Sequence, residues 1–166
     1  KFQLLRHHGM SMNDLERHSS KKVKIESYDV TGFNYRMTDI QAALGISQLE
    51  KIDVILEKRQ LVVSWYRKYL EGRPIFSVPR GAENESVCWQ SLPLKLNKNF
   101  SSSQRDVLEF LAENGVSSKP GIMNAHKEAP YDRGEDLPVS EFLRESVILF
   151  PLHHYLEQKD VEYITN

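Results

Sequence analysis

The chain has 166 residues, 40% hydrophobic and 27% charged, the size and composition of one ordinary soluble domain, with room for an attached arm. Its 22 basic and 23 acidic side chains cancel to a net charge of −1, which leaves no global field towards nucleic acid or an anionic membrane. No apolar run approaches the ~18 residues that span a bilayer, residues 1–10 lack the apolar core of a signal peptide, and a single cysteine permits no internal disulfide, so the expected setting is cytoplasmic and reducing.

Residues 1–8 read as the end of a helix entered in its middle, with Phe2, Leu4 and Leu5 apolar and Gly9 as the stop. Residues 10–30, with the basic run Lys21-Lys22-Val23-Lys24, read as an exposed, irregular connection rather than a nucleic-acid site. Thr38-Asp39-Ile40-Gln41 has the form of a capping box, and Asp39 suits the positive end of a helix dipole. Behind it Ile40, Ala43, Leu44, Ile46 and Leu49 recur at helical steps, which predicts a buried face. The pattern runs on through Trp65, Tyr66 and Leu70 to Gly72 and Pro74, too long for one straight rod, and predicts a break near Lys51 to Asp53.

Ser86 to Leu96 reads as a strand that alternates strictly from Leu92, with Pro93 marking an edge or bulge. Cys88, within Val87-Cys88-Trp89, reads as a small buried hydrophobe rather than a nucleophile. Ser103 to Asp106 opens a further helix that stops at Asn114-Gly115, and a short strand is expected over 116–118. Pro138 suits a first helical turn with Phe142 and Leu143 on its inner face, Val147 to Phe150 reads as a buried strand, and Gln158 to Ile164 starts a last helix. The alternation predicts an α/β (α+β) domain: a small sheet with helices mainly on one face. His153-His154 would point to opposite faces of a strand and no third ligand stands at suitable spacing, so no metal is expected.

Gly32-Phe33-Asn34-Tyr35-Arg36-Met37-Thr38-Asp39-Ile40-Gln41-Ala42-Ala43-Leu44-Gly45 resembles the signature that follows the cofactor lysine in DegT/DnrJ/StrS sugar aminotransferases. Leu5-Arg6-His7-His8-Gly9 is similar to the family's Leu-Arg-x-His-Gly turn, Asn114-Gly115-Val116 to its Gly-Ile/Val step, His126 to Tyr131 to its His-x-x-x-Pro-Tyr segment, and Phe150 to His153 to its Leu-Pro-Leu-His segment. The motifs stand in the family's order over nearly the whole chain.

The resemblance implies the C-terminal small domain of a fold-type-I transferase that uses pyridoxal 5'-phosphate (PLP). It implies a homodimer with shared active sites, acting on a nucleotide-linked keto-sugar and an amino-acid donor such as L-glutamate. Residues 1–37 would be the interdomain and dimer-arm segment, and 38–166 the small domain. The family's asparagine that reaches the partner's PLP phosphate corresponds to Asn34; read locally, Asn34 also suits a turn after Gly32. Two residues on, Arg36 would share its side of an extended segment, and its guanidinium suits a donor carboxylate, the phosphate site or an interface ion pair, whereas Tyr35 would face away and pack. His126 is a candidate for the substrate entrance, where an imidazole can donate to a sugar hydroxyl or phosphate, and His8 is a second candidate, beside a glycine that also favours a plain surface position.

Transamination needs a Schiff-base lysine and an acid at the pyridine nitrogen, and the family places both before the Leu-Arg-x-His-Gly turn. Lys119-Pro120-Gly121 is an unsuitable stand-in, so the chain by itself is expected to be inactive. Two other readings remain at this point. Ile40 to Ser47 superficially resembles a helix-turn-helix, with Gly45 in the turn. A catalytically inactive relative could also keep the dimer surface as a scaffold or regulator.

Overall fold

Two polar boxes start helices from local chemistry alone. The Gln41 amide donates to Thr38 Oγ1 at 3.3 Å while Gln41 Oε1 accepts from the Thr38 amide at 2.9 Å. Ser103 and Asp106 repeat the device, with the Asp106 amide donating to Ser103 Oγ at 3.2 Å and Asp106 Oδ2 accepting from the Ser103 amide at 2.8 Å.

The computed structural model describes residues 1–11, 25, 27–81 and 85–166. It divides into two compact units, Lys1–Lys51 and Ile52–Asn166. That division follows contacts, whereas the partition at 37 and 38 expected from the sequence is one of role. The basic run over 21–24 lies outside the described residues.

The first unit holds helix α1 (Phe2–Leu5) and helix α2 (Asp39–Leu49). Gly45 lies inside α2, so the turn that a helix-turn-helix requires is absent there. The buried face expected on α2 is not buried by the described residues of its own unit: Ile40 is 84% exposed and Leu49 68%, and Leu44 and Ile46 are open as well. An amphipathic pattern announces that a face needs a partner, not that its own chain supplies one.

The second unit begins with helix α3 (Ile52–Leu70), so the expected break falls at Glu50-Lys51. Strands β1 (Phe76–Ser77), β2 (Leu92–Leu96), β3 (Lys119–Pro120) and β4 (Val147–Phe150) form one antiparallel sheet in the order β1-β2-β4-β3. Helices α4 (Gln104–Glu113), α5 (Pro138–Ser146) and α6 (Gln158–Thr165) complete the unit, with a 3-10 turn at Ala125–Lys127. Period-two alternation puts Leu92, Leu94, Leu96, Ile148 and Phe150 on one sheet face, where they pack with Val62, Val63 and Tyr66 of α3, Leu111 of α4 and Val161 of α6. The fully buried Tyr66 donates its hydroxyl to the Pro151 carbonyl at 2.9 Å, and burial pushes its pKa up. β1 reaches only Leu96 and Lys95, so Pro93 sits where β2 has no neighbour on that flank, the edge position its missing N–H calls for.

Several sequence expectations are corrected. Residues 86–91 are not strand, because Trp89 adopts φ +45°, a left-handed conformation that breaks extended alternation, and Cys88 is exposed rather than buried. Trp89 is held there by Gln60, which accepts its indole N–H at 2.9 Å, and by Arg59, which donates to its carbonyl at 3.3 Å. The strand expected over 116–118 forms instead at Lys119–Pro120: the Val116 amide bonds back to the Leu111 carbonyl at 2.8 Å, so Val116 still belongs to the end of α4, with Gly115 at φ +72°. Phe142 and Leu143 are exposed, since α5 buries no residue. His153 and His154 lie in the turns after β4, not on a strand. Among the described residues no helix is long and apolar enough to cross a membrane, and no cluster of three His, Cys, Asp or Glu is placed to hold a metal.

Ile148 is wholly buried at the centre of the sheet. Ile148→Ala in the full-length protein is expected to cost about 2–5 kcal/mol, read as a lowered urea midpoint at unchanged slope; an unchanged midpoint would contradict this core assignment.

Candidate functional site

Two stretches that the sequence keeps apart meet in the first unit. The Phe33 amide donates to the Leu5 carbonyl at 2.7 Å, the His8 amide to the Phe33 carbonyl at 3.1 Å and the Tyr35 amide to the Arg6 carbonyl at 3.0 Å, and His7 bridges Asn34. The clasp closes because neither crossing point carries a side chain. A Cβ on Gly9, at φ +73°, would stand 1.8 Å from the Val30 carbonyl oxygen, and one on Gly32 would stand 2.0 Å from the Gly9 nitrogen.

The clasp fixes the backbone around Asn34. Phe33 and Tyr35 stack with ring centroids 5.1 Å apart, which leaves the alternate positions, Asn34 and Arg36, to the other flank of the extended segment. Both are exposed, and the Asn34 carboxamide makes no hydrogen bond among the described residues. His8 is also exposed, at φ +57°. Its neighbour His7 is buried with neither ring nitrogen partnered among the described residues, which the sequence reading did not single out.

His126 lies in the second unit and is buried. Its Nε2 stands 3.0 Å from Glu141 Oε1, and the same oxygen takes Lys127 Nζ at 3.0 Å and the Leu137 amide at 3.2 Å. Glu141 thus ties the 125–127 turn to the start of α5, whose N-cap residue Leu137 has no side-chain cap of its own. The hydrogen bond from His126, then those from Lys127 and Leu137, pull the Glu141 carboxyl down to about 2. Sequence reasoning missed Glu141; Pro138 followed three residues later by an acid in a first turn was the available signal. Lys119 lies exposed on β3, paired with Leu149.

The family model for DegT/DnrJ/EryC1/StrS aminotransferases matches residues 1–166. The chain belongs to the DegT/DnrJ/EryC1/StrS aminotransferase family. A GDP-perosamine synthase of Caulobacter vibrioides is 30% identical over 99% of this chain and 42% of its own length. A UDP-4-amino-4,6-dideoxy-N-acetyl-beta-L-altrosamine transaminase of Campylobacter jejuni is 28% identical, again over 99% of this chain and 42% of its own length. Among solved structures, Spr1654 of Streptococcus pneumoniae in its PMP form superposes with a TM-score of 0.84 at 23% identity, covering 99% of this chain and 42% of that one, and it has a PLP form as well. This DegT-family chain therefore spans less than half the length of the relatives it matches, and its fold is that of their corresponding part.

Glu141 gives a test of the second unit. Its folded-state pKa, about 2, lies below the ordinary 4.5, so its stabilisation is present above the ordinary value and lost as pH falls towards the folded one. Glu141→Gln is expected to lower the melting temperature of the full-length protein at neutral pH, with the gap to wild type narrowing from about pH 5 to about pH 3. A gap that stays constant over that range contradicts the assignment.

Proposed function

We propose that the full-length protein transfers an amino group, from an amino-acid donor such as L-glutamate, to a keto group on a nucleotide-linked sugar. In this reading it works in the cytoplasm as a PLP-dependent homodimer with shared active sites. Residues 1–37 serve as interdomain segment and dimer arm, and 38–166 as the small domain. The observation that carries the reading is the clasp, which fixes a carboxamide in the open with no hydrogen-bond partner among the described residues. The uncovered apolar face of α2, in the same unit, supports a second copy as what covers it.

The residues present fit the phosphate end of PLP. A carboxamide N–H donor satisfies a phosphate oxygen without adding charge, and a hydrogen bond to a charged acceptor contributes about 1.5–3 kcal/mol. Asn34 would hold the phosphate of the partner's cofactor, and Arg36 would bind the donor carboxylate or the same phosphate. The chemistry that PLP supplies when bound is temporary storage of the amino group and of negative charge at the reacting carbon. His126, through Glu141, would hold the 121–127 stretch in place as a wall of the substrate entrance, with exposed His8 a further substrate contact. The names of the relatives, a GDP-sugar and a UDP-sugar enzyme, support a nucleotide-linked acceptor.

Asn34→Ala in the full-length protein is expected to weaken PLP binding by about tenfold or more, with the melting temperature of the cofactor-free protein unchanged. An equilibrium titration of PLP, followed by cofactor absorbance, reads the difference. Unchanged affinity refutes the role given to Asn34.

A further inference from the structure

Two cavities of the second unit, of about 370 Å³ and 280 Å³, share Arg67 and Arg80 as lining residues. The wall between them is built from Trp89 outward. Its left-handed backbone, φ +45°, is one that a residue with a Cβ keeps only where its surroundings over-determine it. Gln60 supplies part of that constraint, its carboxamide donating to the Val87 carbonyl at 2.7 Å and accepting the Trp89 indole N–H at 2.9 Å, while Arg59 donates to the Trp89 carbonyl at 3.3 Å. The indole is thereby fastened to α3.

Arg67 stands over that indole, its Cζ 5.4 Å from the ring centroid, and its Nη2 donates to the Pro79 carbonyl at 3.1 Å. Both contacts orient the guanidinium, and neither brings it a full negative charge. Its Nε is covered by the fold and has no hydrogen-bond partner among the described residues, so part of this cation has left water without compensation. The bond to Pro79 also draws the next residue, Arg80, to the same wall. A second guanidinium there adds like-charge repulsion to the desolvation cost. Among the described residues neither Arg67 nor Arg80 has an ion pair. Glu85 lines the larger cavity and Glu71 the smaller, yet cations outnumber the acid in both, with Lys68 added in the smaller.

We infer that Arg67 and Arg80 together receive a small oxyanion, a carboxylate or a phosphate, which accepts from Arg67 Nη1 and from the Arg80 guanidinium. The chemistry common to both classes is a set of oxygens sharing delocalised negative charge, which the planar N–H donors of a guanidinium match. Trp89 and Gln60 are positioning residues in this site, since they hold the guanidinium and do not touch the anion. The inference draws on the second unit alone and stands or falls independently of Asn34 and of the transamination reading.

The test is calorimetric titration of inorganic phosphate and of succinate into the full-length, PLP-loaded protein and its variants. At least one of the two should bind; phosphate alone would identify a phosphate site, and succinate alone a carboxylate site. Arg80→Gln, at an exposed side chain without a hydrogen bond among the described residues, should weaken binding by about tenfold at an unchanged melting temperature. Arg67→Gln should weaken it at least as much, and Arg67→Lys should restore only part of the loss, because an ammonium keeps the charge without the fork. PLP absorbance should stay constant throughout. Binding of neither anion would overturn the inference, and so would binding that is equally tight in the wild type and in Arg80→Gln and Arg67→Gln.

Discussion

The closest constraint in the first unit is the backbone crossing at Gly9 and Gly32. Two main chains approach there until no Cβ fits between them, and three inter-segment hydrogen bonds then fix the register. From that register follow the bridge to His7, the stacking of Phe33 on Tyr35 and the exposure of Asn34. A side chain at either glycine would push the segments apart, and Asn34 would lose the backbone that holds it in the open.

The second unit applies a different rule. Alternation along β2 and β4 sends Leu92, Leu94, Leu96, Ile148 and Phe150 to a helix-covered face and Pro93, Lys95, Val147 and Leu149 to the other. The first face holds the core of the unit. The His126–Glu141–Lys127 cluster ties the 125–127 turn to the start of α5.

Features written in short-range chemistry were legible in the sequence. Thr38 with Gln41 and Ser103 with Asp106 named their helix starts because both halves of each box lie within four residues. Leu92 to Leu96 and Val147 to Phe150 declared themselves by alternation, and the family motifs named the relatives over the full chain. What depended on distant partners was not legible. Trp89 looked like part of a strand because the groups that hold its unusual backbone, Gln60 and Arg59, lie about thirty positions earlier on α3. The apolar stripe of α2 was read as core, since periodicity cannot say which molecule covers it. Glu141 was overlooked for the same reason: its role exists only once the His126 turn folds back onto it.

Whether Asn34 serves its own subunit or its neighbour's is the question on which the whole reading turns. The most direct measurement mixes full-length protein carrying Asn34→Ala, at a PLP concentration too low to load it, with full-length protein whose cofactor-binding lysine is replaced, and assays transamination after subunit exchange in the proposed dimer. Donation across the dimer predicts recovered activity, because a hybrid contains one site with both an intact lysine and an intact asparagine. No recovery, with hybrids shown to form, would contradict it.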